Sequence, residues 1–301
     1  MRAIVTGGAG FIGSHVAEAL VERGDEVHVL DDLLAGKREN VPDGAELHVA
    51  DIRDPGDVFD AVRPEVVFHL AAQASVSVAV ARPVFDAEVN VLGTVAVLEA
   101  ARAHGAQIVF SSTGGAIYGE CDRPAREDSV RRPLSPYGTS KLAGEEYLAA
   151  WNRLHGTRHV SLRYGNVYGT RQDPHGEAGV VAIFLRAVAD GVRPTIFGDG
   201  SQERDYVYVG DVARATLAAP ALAGGVVNVA TGRATSVLEL VDAMRRATGR
   251  EIDPEHGPER LGDLQRSVLD PALAGRELGW RPEVSLEDGL RSTWQFFTAT
   301  A

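Results

Sequence analysis

The chain has 301 residues and a mass of 32.0 kDa, enough for a large core and for two lobes. Its formal net charge of −12 at pH 7 argues against a nucleic acid or a membrane as partner, because both need a basic protein face. The single cysteine, Cys121, excludes an internal disulfide and a cysteine-based metal site, and we predict no metal ligands. The lack of a long apolar run and of a signal-peptide pattern predicts a cytoplasmic protein.

Short β-branched runs alternate with amphipathic stretches through the first half of the chain. The predicted strands are 2–6, 26–31, 46–50, 65–72, 107–112 and 159–164, and the predicted helices between them are 11–23, 54–63, 83–104 and 135–155. Near-continuous apolar strands alternating with helices predict a doubly wound parallel (Rossmann) α/β sheet covered on both faces. Its ligand should lie at the carboxyl ends of the strands.

The composition changes after about residue 165. Gly, Pro and Asp cluster in 165–179 and 191–205, and the predicted helices there are 179–190, 236–248 and 285–298. We therefore expect one domain over 1–165, with some later chain returning to it, and a smaller mixed α/β lobe over 166–301. Asp211 is predicted to cap a helix of this lobe.

The segment "VTGGAGFIGSH" predicts a phosphate-binding turn. Gly7, Gly10 and Gly13 follow the first strand and open the first helix, where backbone N–H groups and the helix dipole can bind a pyrophosphate. Asp31 ends the second strand, where a carboxylate can accept hydrogen bonds from an adenosine ribose. Asp31 and Asp32 would repel a 2′-phosphate, so the pattern favours NAD over NADP.

Two nearby features leave alternatives open. Lys37 and Arg38 follow the two aspartates and are compatible with a 2′-phosphate. Asp51 and Ile52 come after the third strand, where the adenine edge would lie, but Asp51 could equally cap its own loop.

The segment "LSPYGTSKLAGEEYL" predicts an acid/base pair. Tyr137 and Lys141 stand four residues apart on one helix face, and Lys141 is one of only two lysines in a chain that otherwise uses arginine. A free phenol has a pKa of about 10, and a nearby ammonium, together with a positive nicotinamide ring, favours the phenolate. The alternative is a surface tyrosine stacked on a lysine stem.

The strand "QIVFSS" delivers three hydroxyls to the same sheet edge. Ser111, Ser112 and Thr113 could hold a substrate oxygen that the tyrosine deprotonates, and we favour Thr113. The alternative for each of them is the capping of a turn.

The chain carries a glycine turn, then Ser-Ser-Thr, then Tyr-x-x-x-Lys, and in this order the motifs resemble those of the extended short-chain dehydrogenase/reductase family. The resemblance covers essentially the whole chain. Within this family, the chain looks most like the nucleotide-sugar 4-epimerases of the UDP-glucose (UDP-galactose) 4-epimerase type. The resemblance implies an NAD-binding domain over 1–165 and a nucleotide-sugar-binding lobe over 166–301, with tightly bound NAD and a UDP-sugar substrate. It also implies a homodimer formed through helices 83–104 and 135–155.

The resemblance also implies roles for individual residues. Catalysis falls to Tyr137, Lys141 and Thr113. The NAD-binding set is Gly7, Gly10, Phe11, Ile12, Gly13, Asp31, Asp32, Asp51, Ile52, Ala71, Asn90, Ser111, Tyr137, Lys141 and Tyr164, with Tyr164 beside the nicotinamide. The substrate-binding set is Thr113, Asn166, Phe197, Arg204, Arg260, Asp263 and Ser267. In this set Asn166, Arg204 and Arg260 hold the diphosphate, Phe197 the uracil and Asp263 the uridine ribose.

The implied reaction oxidises C4 of the sugar transiently to a ketone and reduces it on the other face. A 4,6-dehydratase is disfavoured because Gly114 and Gly115 follow Thr113, where such enzymes carry Asp-Glu. A UDP-glucuronate 4-epimerase stays open, since the "YGTRQD" loop is loosely shared with that group. A non-catalytic NAD-binding regulator would typically lack the tyrosine or the lysine. Ser267 stands where a bulky tyrosine restricts related enzymes, so N-acetylated sugars are expected to be accepted as well.

Overall fold

The computed structural model describes residues 1–174, 179–259 and 264–299. The strands are β1 (Arg2–Thr6), β2 (Glu26–Asp31), β3 (Ala45–Val49), β4 (Val66–His69), β5 (Gln107–Thr113), β6 (Val160–Tyr164), β7 (Asn166–Tyr168), β8 (Thr195–Phe197), β9 (Glu203–Arg204), β10 (Tyr206–Tyr208), β11 (Gly225–Val229), β12 (Thr235–Ser236), β13 (Glu255–Gly257) and β14 (Arg266–Ser267). The α-helices are α1 (Phe11–Glu22), α2 (Gly56–Val62), α3 (Val76–Ala81), α4 (Pro83–Ala87), α5 (Gly93–His104), α6 (Gly114–Ile117), α7 (Pro136–His155), α8 (Val180–Ala189), α9 (Val209–Ala218), α10 (Val237–Thr248), α11 (Ala272–Leu278) and α12 (Leu286–Ala299). Short 3-10 turns span Arg38–Asn40 and Ala219–Ala221.

A seven-stranded parallel sheet organises the larger part of the molecule, in the order β11-β6-β5-β4-β1-β2-β3. Its central strands are apolar and buried on both faces, as in β4, where every residue is buried. One face packs on α1 and α9 through residues such as Leu20 and Val212, and the other on α2, α5 and α7 through Phe59, Leu98 and Leu148. The predicted doubly wound fold is confirmed.

The predicted helix over 83–104 is confirmed in its bounds, but one turn inside it is π-helical. The chain forms α4, then a π-helical turn over Glu88–Leu92, then α5. Asn90 lies within this turn and is 2% exposed, with its carboxamide bonded to other protein groups. Such a one-turn π-bulge is common at functional sites, because it redirects a side chain that a regular helix would place elsewhere.

The chain after residue 165 builds three small sheets, with strand orders β10-β7, β12-β9-β14 and β13-β8. Helices α8, α10 and α12 pack together through a second core that includes Leu185, Met244 and Phe297. Strand β11 returns to the large sheet beside β6. No helix among the described residues is long and apolar enough to cross a membrane.

The predicted capping role of Asp211 is wrong. Tyr208 occupies the N-cap position of α9, and Asp211 lies inside the first turn, 1% exposed. Its carboxylate accepts hydrogen bonds from the backbone N–H groups of Glu283 and Val284, each at 3.0 Å, and pairs with Arg214. Asp211 therefore anchors the segment that leads into α12.

Candidate active site

The glycine turn joins β1 to α1 at the carboxyl edge of the sheet. Gly7 has a φ of +70°, and a Cβ there would lie 2.6 Å from the backbone nitrogen of Ala71; a Cβ on Gly13 would lie 2.0 Å from the Gly7 carbonyl oxygen. These two glycines let the turn pack on itself and on the end of β4. A Cβ on Gly10 would meet only the Gly7 oxygen, at 3.2 Å, and α1 has no side-chain cap. The backbone N–H groups at Phe11 and Ile12 therefore fit an anionic ligand.

The acidic end of β2 is tied to this turn. Asp31 is 6% exposed and accepts hydrogen bonds from the N–H groups of Ala9, at 3.0 Å, and Leu33, at 2.9 Å. Burial raises the pKa of Asp31, and these two bonds act in the opposite direction. Asp32 is exposed and accepts from the N–H of Leu34. The pair stands beside the glycine turn, as a ribose-binding carboxylate requires.

The structure realises the capping alternative for Asp51. Its carboxylate accepts the backbone N–H of Arg53 at 2.8 Å and forms an ion pair with the same residue, which holds the pKa of Asp51 below its usual range. The side chain of Ile52 is buried against Gly93, where a Cβ would lie 2.8 Å from it. Contact of either residue with adenine stays a prediction.

Two of the three predicted hydroxyls at the end of β5, those of Ser112 and Thr113, have different surroundings. Ser112 is buried and donates to Glu145 at 2.5 Å, and Glu145 pairs with the 1% exposed Arg163 at 2.6 Å. This buried ion pair ties α7 to β5 and β6 below the sheet edge, so Ser112 is structural. Thr113 precedes α6 without making a cap hydrogen bond to it, so the capping alternative does not apply to this residue.

Three predicted substrate-binding residues converge on Gly115. A Cβ placed on Gly115 would lie 3.5 Å from Asn166 Oδ1, 3.8 Å from Thr113 Oγ1 and 3.9 Å from Ser267 Oγ. These side chains come from β7, β5 and β14, so both lobes contribute to the group. Asn166 Oδ1 is buried and has no hydrogen-bond partner among the described residues. A buried unpaired polar atom is unfavourable, and a polar ligand would satisfy it.

Gly114 explains how the second lobe reaches this point. A Cβ there would lie 2.2 Å from Cδ1 of Leu269, a residue only 1% exposed. The missing side chain lets the segment after β14 pack directly on the end of β5. Gly114 therefore has a structural role of its own.

Lys141 projects from α7 toward the end of β5 and is 3% exposed. Its Nζ donates to the Ser111 carbonyl oxygen at 2.9 Å and lies 4.8 Å from the ring centroid of Phe110. Burial lowers the pKa of Lys141 to about 8, while the carboxylates of Asp86 and Glu145 act in the opposite direction. The surface-stacking alternative is therefore wrong for this lysine.

The expectation that Lys141 lowers the pKa of Tyr137 is wrong for the protein alone. Burial raises the pKa of the Tyr137 phenol to about 12, and the negative charge of Asp86 adds to the increase. Asp86 is itself 1% exposed and was missed by the sequence analysis, because nothing local distinguishes it from a surface helix residue. Without a further positive charge nearby, the Tyr137 phenol is therefore protonated near neutral pH.

Two glycines bring α7 to the sheet edge. A Cβ on Gly138 would lie 2.5 Å from the Ala116 carbonyl oxygen, and a Cβ on Gly144 would lie 2.7 Å from the Phe110 ring. Glycine inside a helix reduces stability by roughly 0.5–1 kcal/mol relative to alanine, so the close approach explains its presence. The two glycines are visible in the segment "PYGTSKLAGEE", but the sequence does not show that they pack against Ala116 and Phe110.

Asn90, predicted to contact the cofactor, also holds neighbouring segments together. Its Oδ1 accepts the Gln73 N–H at 2.9 Å, and its Nδ2 donates to the Gln73 carbonyl at 2.9 Å, to Asp86 at 3.0 Å and to Ser140 at 3.2 Å. Both polar ends of the carboxamide are thus used inside the protein. The structure shows a positioning role for Asn90, and direct contact with NAD stays a prediction.

A buried histidine links this network to the glycine turn. His69 is 1% exposed, with Nδ1 at 2.7 Å from Thr6 Oγ1 and Nε2 at 3.1 Å from Thr94 Oγ1. Thr94 donates to the Asn90 carbonyl and Thr6 accepts the Ala71 N–H, so the proton of a neutral His69 must lie on Nε2. Burial, with a smaller contribution from the Lys141 ammonium, lowers the pKa of His69 to about 3.

The remaining predicted residues are spread over the second lobe and the core. Tyr164 is buried, and its phenol donates to Thr216 at 2.8 Å, so its hydroxyl is used in the core. Phe197 ends β8, and Arg204 in β9 pairs in register with Ser267. Arg204 also donates to the Glu203 carbonyl. Arg260 and Asp263 lie outside the described residues.

Comparisons with known proteins agree with this geometry. Residues 3–230 match the model of the NAD dependent epimerase/dehydratase family. A UDP-glucose 4-epimerase of Mycolicibacterium smegmatis is 47% identical over 308 residues, covering 99% of this chain and 98% of that protein. The structure of a UDP-glucose 4-epimerase from Thermotoga maritima with UDP-glucose superposes with a TM-score of 0.97 at 47% identity, covering 100% of this chain and 99% of that one. A UDP-glucose 4-epimerase from Thermus thermophilus in complex with NAD gives a TM-score of 0.94 at 50% identity, covering 100% of both chains.

Proposed function

The chain belongs to the NAD-dependent epimerase/dehydratase family, and we propose that it interconverts UDP-glucose and UDP-galactose through transient oxidation at C4 of the sugar. The observation that carries this proposal is the group around Gly115. Thr113, Asn166 and Ser267 meet there, beside a helix that holds Tyr137 and a buried Lys141.

Each residue has a defined task in this reaction. Tyr137 accepts the proton of the sugar 4-hydroxyl and later returns it, while Thr113 holds the same oxygen through its hydroxyl. Lys141 is a compact ammonium fixed on the Ser111 carbonyl, where it can also bind ribose hydroxyls. When bound, NAD⁺ would supply the acceptor, and as NADH the donor, of the C4 hydride, and its positive nicotinamide would oppose the high pKa of Tyr137 in the protein alone.

The cofactor-binding residues are those of the glycine turn and β2. The uncapped N-terminus of α1 binds the pyrophosphate, and Asp31 binds the adenosine ribose. In the second lobe the Asn166 Nδ2 and the Arg204 guanidinium donate hydrogen bonds to the substrate diphosphate, and arginine can do so in a bidentate manner. The Asn166 Oδ1, which has no hydrogen-bond partner among the described residues, accepts from a hydroxyl of the substrate.

A panel of UDP-sugars, incubated with the purified protein without added NAD and separated by chromatography, tests the proposal. We expect UDP-galactose and UDP-glucose to reach the same equilibrium mixture from either side. Conversion of UDP-glucuronate alone would replace the proposed substrate, and release of a 4-keto-6-deoxy sugar would indicate a dehydratase.

Ser267 supports a second activity on N-acetylated sugars. It is small and 6% exposed, and its Oγ lies 3.9 Å from the position that a Cβ on Gly115 would take. We expect UDP-GlcNAc to be epimerised. The variant Ser267→Tyr should lose this activity and keep that on UDP-galactose, while Ser267→Ala, as the matched control, should keep both. Wild-type protein that leaves UDP-GlcNAc unchanged at high enzyme concentration would refute this idea.

A homodimer through the helical run 83–104 (α4, the π-helical turn and α5) and through α7 is also part of the proposal. Val84, Leu92, Leu134 and Leu154 lie on or beside these segments and are 70%, 61%, 65% and 72% exposed. Large exposed aliphatic side chains along these segments favour a protein interface. Light scattering coupled to size exclusion should give a dimer mass for wild type and for Val192→Glu in the other lobe, and a monomer mass for Leu92→Glu. A monomeric wild type would contradict the dimer.

A further inference from the structure

Two histidines and a glutamate form a cluster at the edge of the large sheet, and none of them belongs to the site described above. His28 lies on β2, and Glu46 and His48 lie on the edge strand β3. Among the residues the structure describes, these are the one group of histidine, cysteine and acidic side chains whose ligand atoms lie close enough for a shared metal ion, all within 4.8 Å of one another.

The parallel register creates the cluster. His28 is the direct partner of Glu46, and His48 follows two residues later on the same face. His28 Nδ1 lies 3.0 Å from His48 Nε2 and 3.5 Å from one Glu46 oxygen, and the other Glu46 oxygen lies 3.8 Å from His48 Nε2. Ligand atoms about 2.0–2.1 Å from a tetrahedral Zn²⁺ are separated by about 3.3–3.4 Å. The two imidazole nitrogens already lie within a few tenths of an ångström of that separation, and a rotation of the exposed Glu46 side chain would bring one of its oxygens to both of them.

A second carboxylate orients the first histidine. Glu26 Oε1 lies 3.3 Å from His28 Nε2, so a neutral His28 that donates there presents the Nδ1 lone pair to the cluster. A carboxylate behind a ligating imidazole is the usual support of a metal-bound histidine. In the protein alone, His48 Nε2–H donates to His28 Nδ1; on metal binding that proton moves to His48 Nδ1, and no net proton is lost from two neutral rings.

The surroundings of the cluster suit a transition metal. The side chains of His28 and His48 are 11% and 20% exposed, whereas Glu46 is 67% exposed and leaves the ion open to solvent for entry and for a fourth, water ligand. Two imidazoles and one carboxylate favour Zn²⁺ and its neighbours over Mg²⁺ or Ca²⁺, which prefer oxygen ligands.

We propose that His28, His48 and Glu46 bind a divalent transition-metal ion of the Zn²⁺ class, which clips the edge strand β3 to β2. The site is separate from the proposed epimerase chemistry, and its presence does not depend on that proposal. A simple histidine–histidine hydrogen bond is the alternative, and it predicts no metal affinity above that of scattered surface histidines.

The test uses the full-length protein after treatment with a chelator, titrated with ZnCl₂ by calorimetry and with CoCl₂ by visible absorption. We expect one equivalent of Zn²⁺, a four-coordinate Co²⁺ absorption band, and a higher melting temperature in the presence of Zn²⁺. We expect Glu46→Gln and His48→Gln to weaken Zn²⁺ binding by at least about ten-fold. Because Glu46 is exposed, Glu46→Gln should not impair folding. His104→Gln is the matched control, because His104 also faces a carboxylate, Asp60 at 3.0 Å, but has no second imidazole in the cluster.

Equal Zn²⁺ affinity in wild type, Glu46→Gln and His48→Gln would overturn the site, as would the absence of a one-equivalent step in wild type. Loss of binding in His104→Gln alone would move the metal to another part of the surface and overturn it too.

Discussion

Lys141 is expected to make the protein active at the expense of its stability. The chain has two lysines, and the replacement of Lys141 by methionine removes an ammonium that is 3% exposed, while Lys37→Met removes an exposed one and serves as the control. Methionine keeps the length of the stem and leaves the Ser111 carbonyl without its donor. The prediction is that Lys141→Met abolishes epimerisation without destabilising the fold at neutral pH.

The magnitude follows from the pKa of the buried lysine. Burial lowers the pKa of Lys141 from 10.5 to about 8, and each unit corresponds to about 1.4 kcal/mol, so the folded state holds the ammonium at a disadvantage of about 3 kcal/mol. Loss of the hydrogen bond to Ser111 leaves an acceptor unsatisfied, at about 1–3 kcal/mol. Lys141→Met should therefore be as stable as wild type at pH 7.5, or more stable by up to about 2 kcal/mol.

The pH dependence gives a sharper test than stability at one pH. Between pH 8 and pH 10.5 the unfolded lysine still binds a proton that the folded lysine has lost, so the stability of wild type relative to Lys141→Met rises with pH. Urea unfolding at pH 7.5 and pH 10 should show the difference between them change by about 2–3 kcal/mol, with no such change for Lys37→Met. A Lys141→Met variant that is several kcal/mol less stable at pH 7.5, with a gap independent of pH, would refute the reasoning.

Four further substitutions test the surrounding architecture. Gly115→Ala places a methyl group 3.5–3.9 Å from three polar side chains, so it should raise KM for UDP-galactose and leave the free energy of unfolding unchanged. Gly114→Ala places a methyl group 2.2 Å from a buried leucine, so it should reduce the free energy of unfolding by about 1–3 kcal/mol. Equal effects of the two variants on stability would contradict the packing. The pKa of His69 is about 3 in the folded protein, so its contribution to the free energy of unfolding is complete above pH 6.5 and falls as the pH drops toward 3. Urea unfolding of wild type should show a loss of about 2 kcal/mol from this group between pH 7 and pH 5. His69→Gln should lack this dependence on pH. Glu145→Gln breaks a buried ion pair with Arg163 and should reduce the unfolding free energy by about 3–5 kcal/mol; a loss below 1 kcal/mol would mean that water reaches the pair.

The large sheet was predictable because its strands carry their own signal. The runs at 2–6 and 26–31 are apolar and β-branched, and the structure has strands with these same bounds. The helix over 83–104 has an amphipathic pattern too, but the π-helical turn at Glu88–Leu92 depends on partners of Asn90 that lie far along the chain or across space. The two-residue strands β9, β12 and β14 are too short to leave a periodic pattern.

The candidate site was predictable where a motif fixes residue types at short spacing, as for Tyr137 and Lys141. The pKa of Tyr137 was not predictable from the motif, because it depends on the burial of the phenol and on Asp86, which is distant in the sequence. Glu145 and Arg163 look like surface charges until α7 packs on β6 and buries both. The cluster at His28 and His48 was missed for a similar reason, since it exists only when β2 and β3 align in register.

The central claim is that Tyr137 is the acid/base of an NAD-dependent epimerase. The most direct measurement is the conversion of UDP-galactose to UDP-glucose by wild type and by Tyr137→Phe, without added NAD, together with the NAD content of each purified protein. The account predicts that both proteins contain NAD and that Tyr137→Phe loses at least about 10²-fold in kcat. A variant that retains NAD and turns over at the wild-type rate would contradict it.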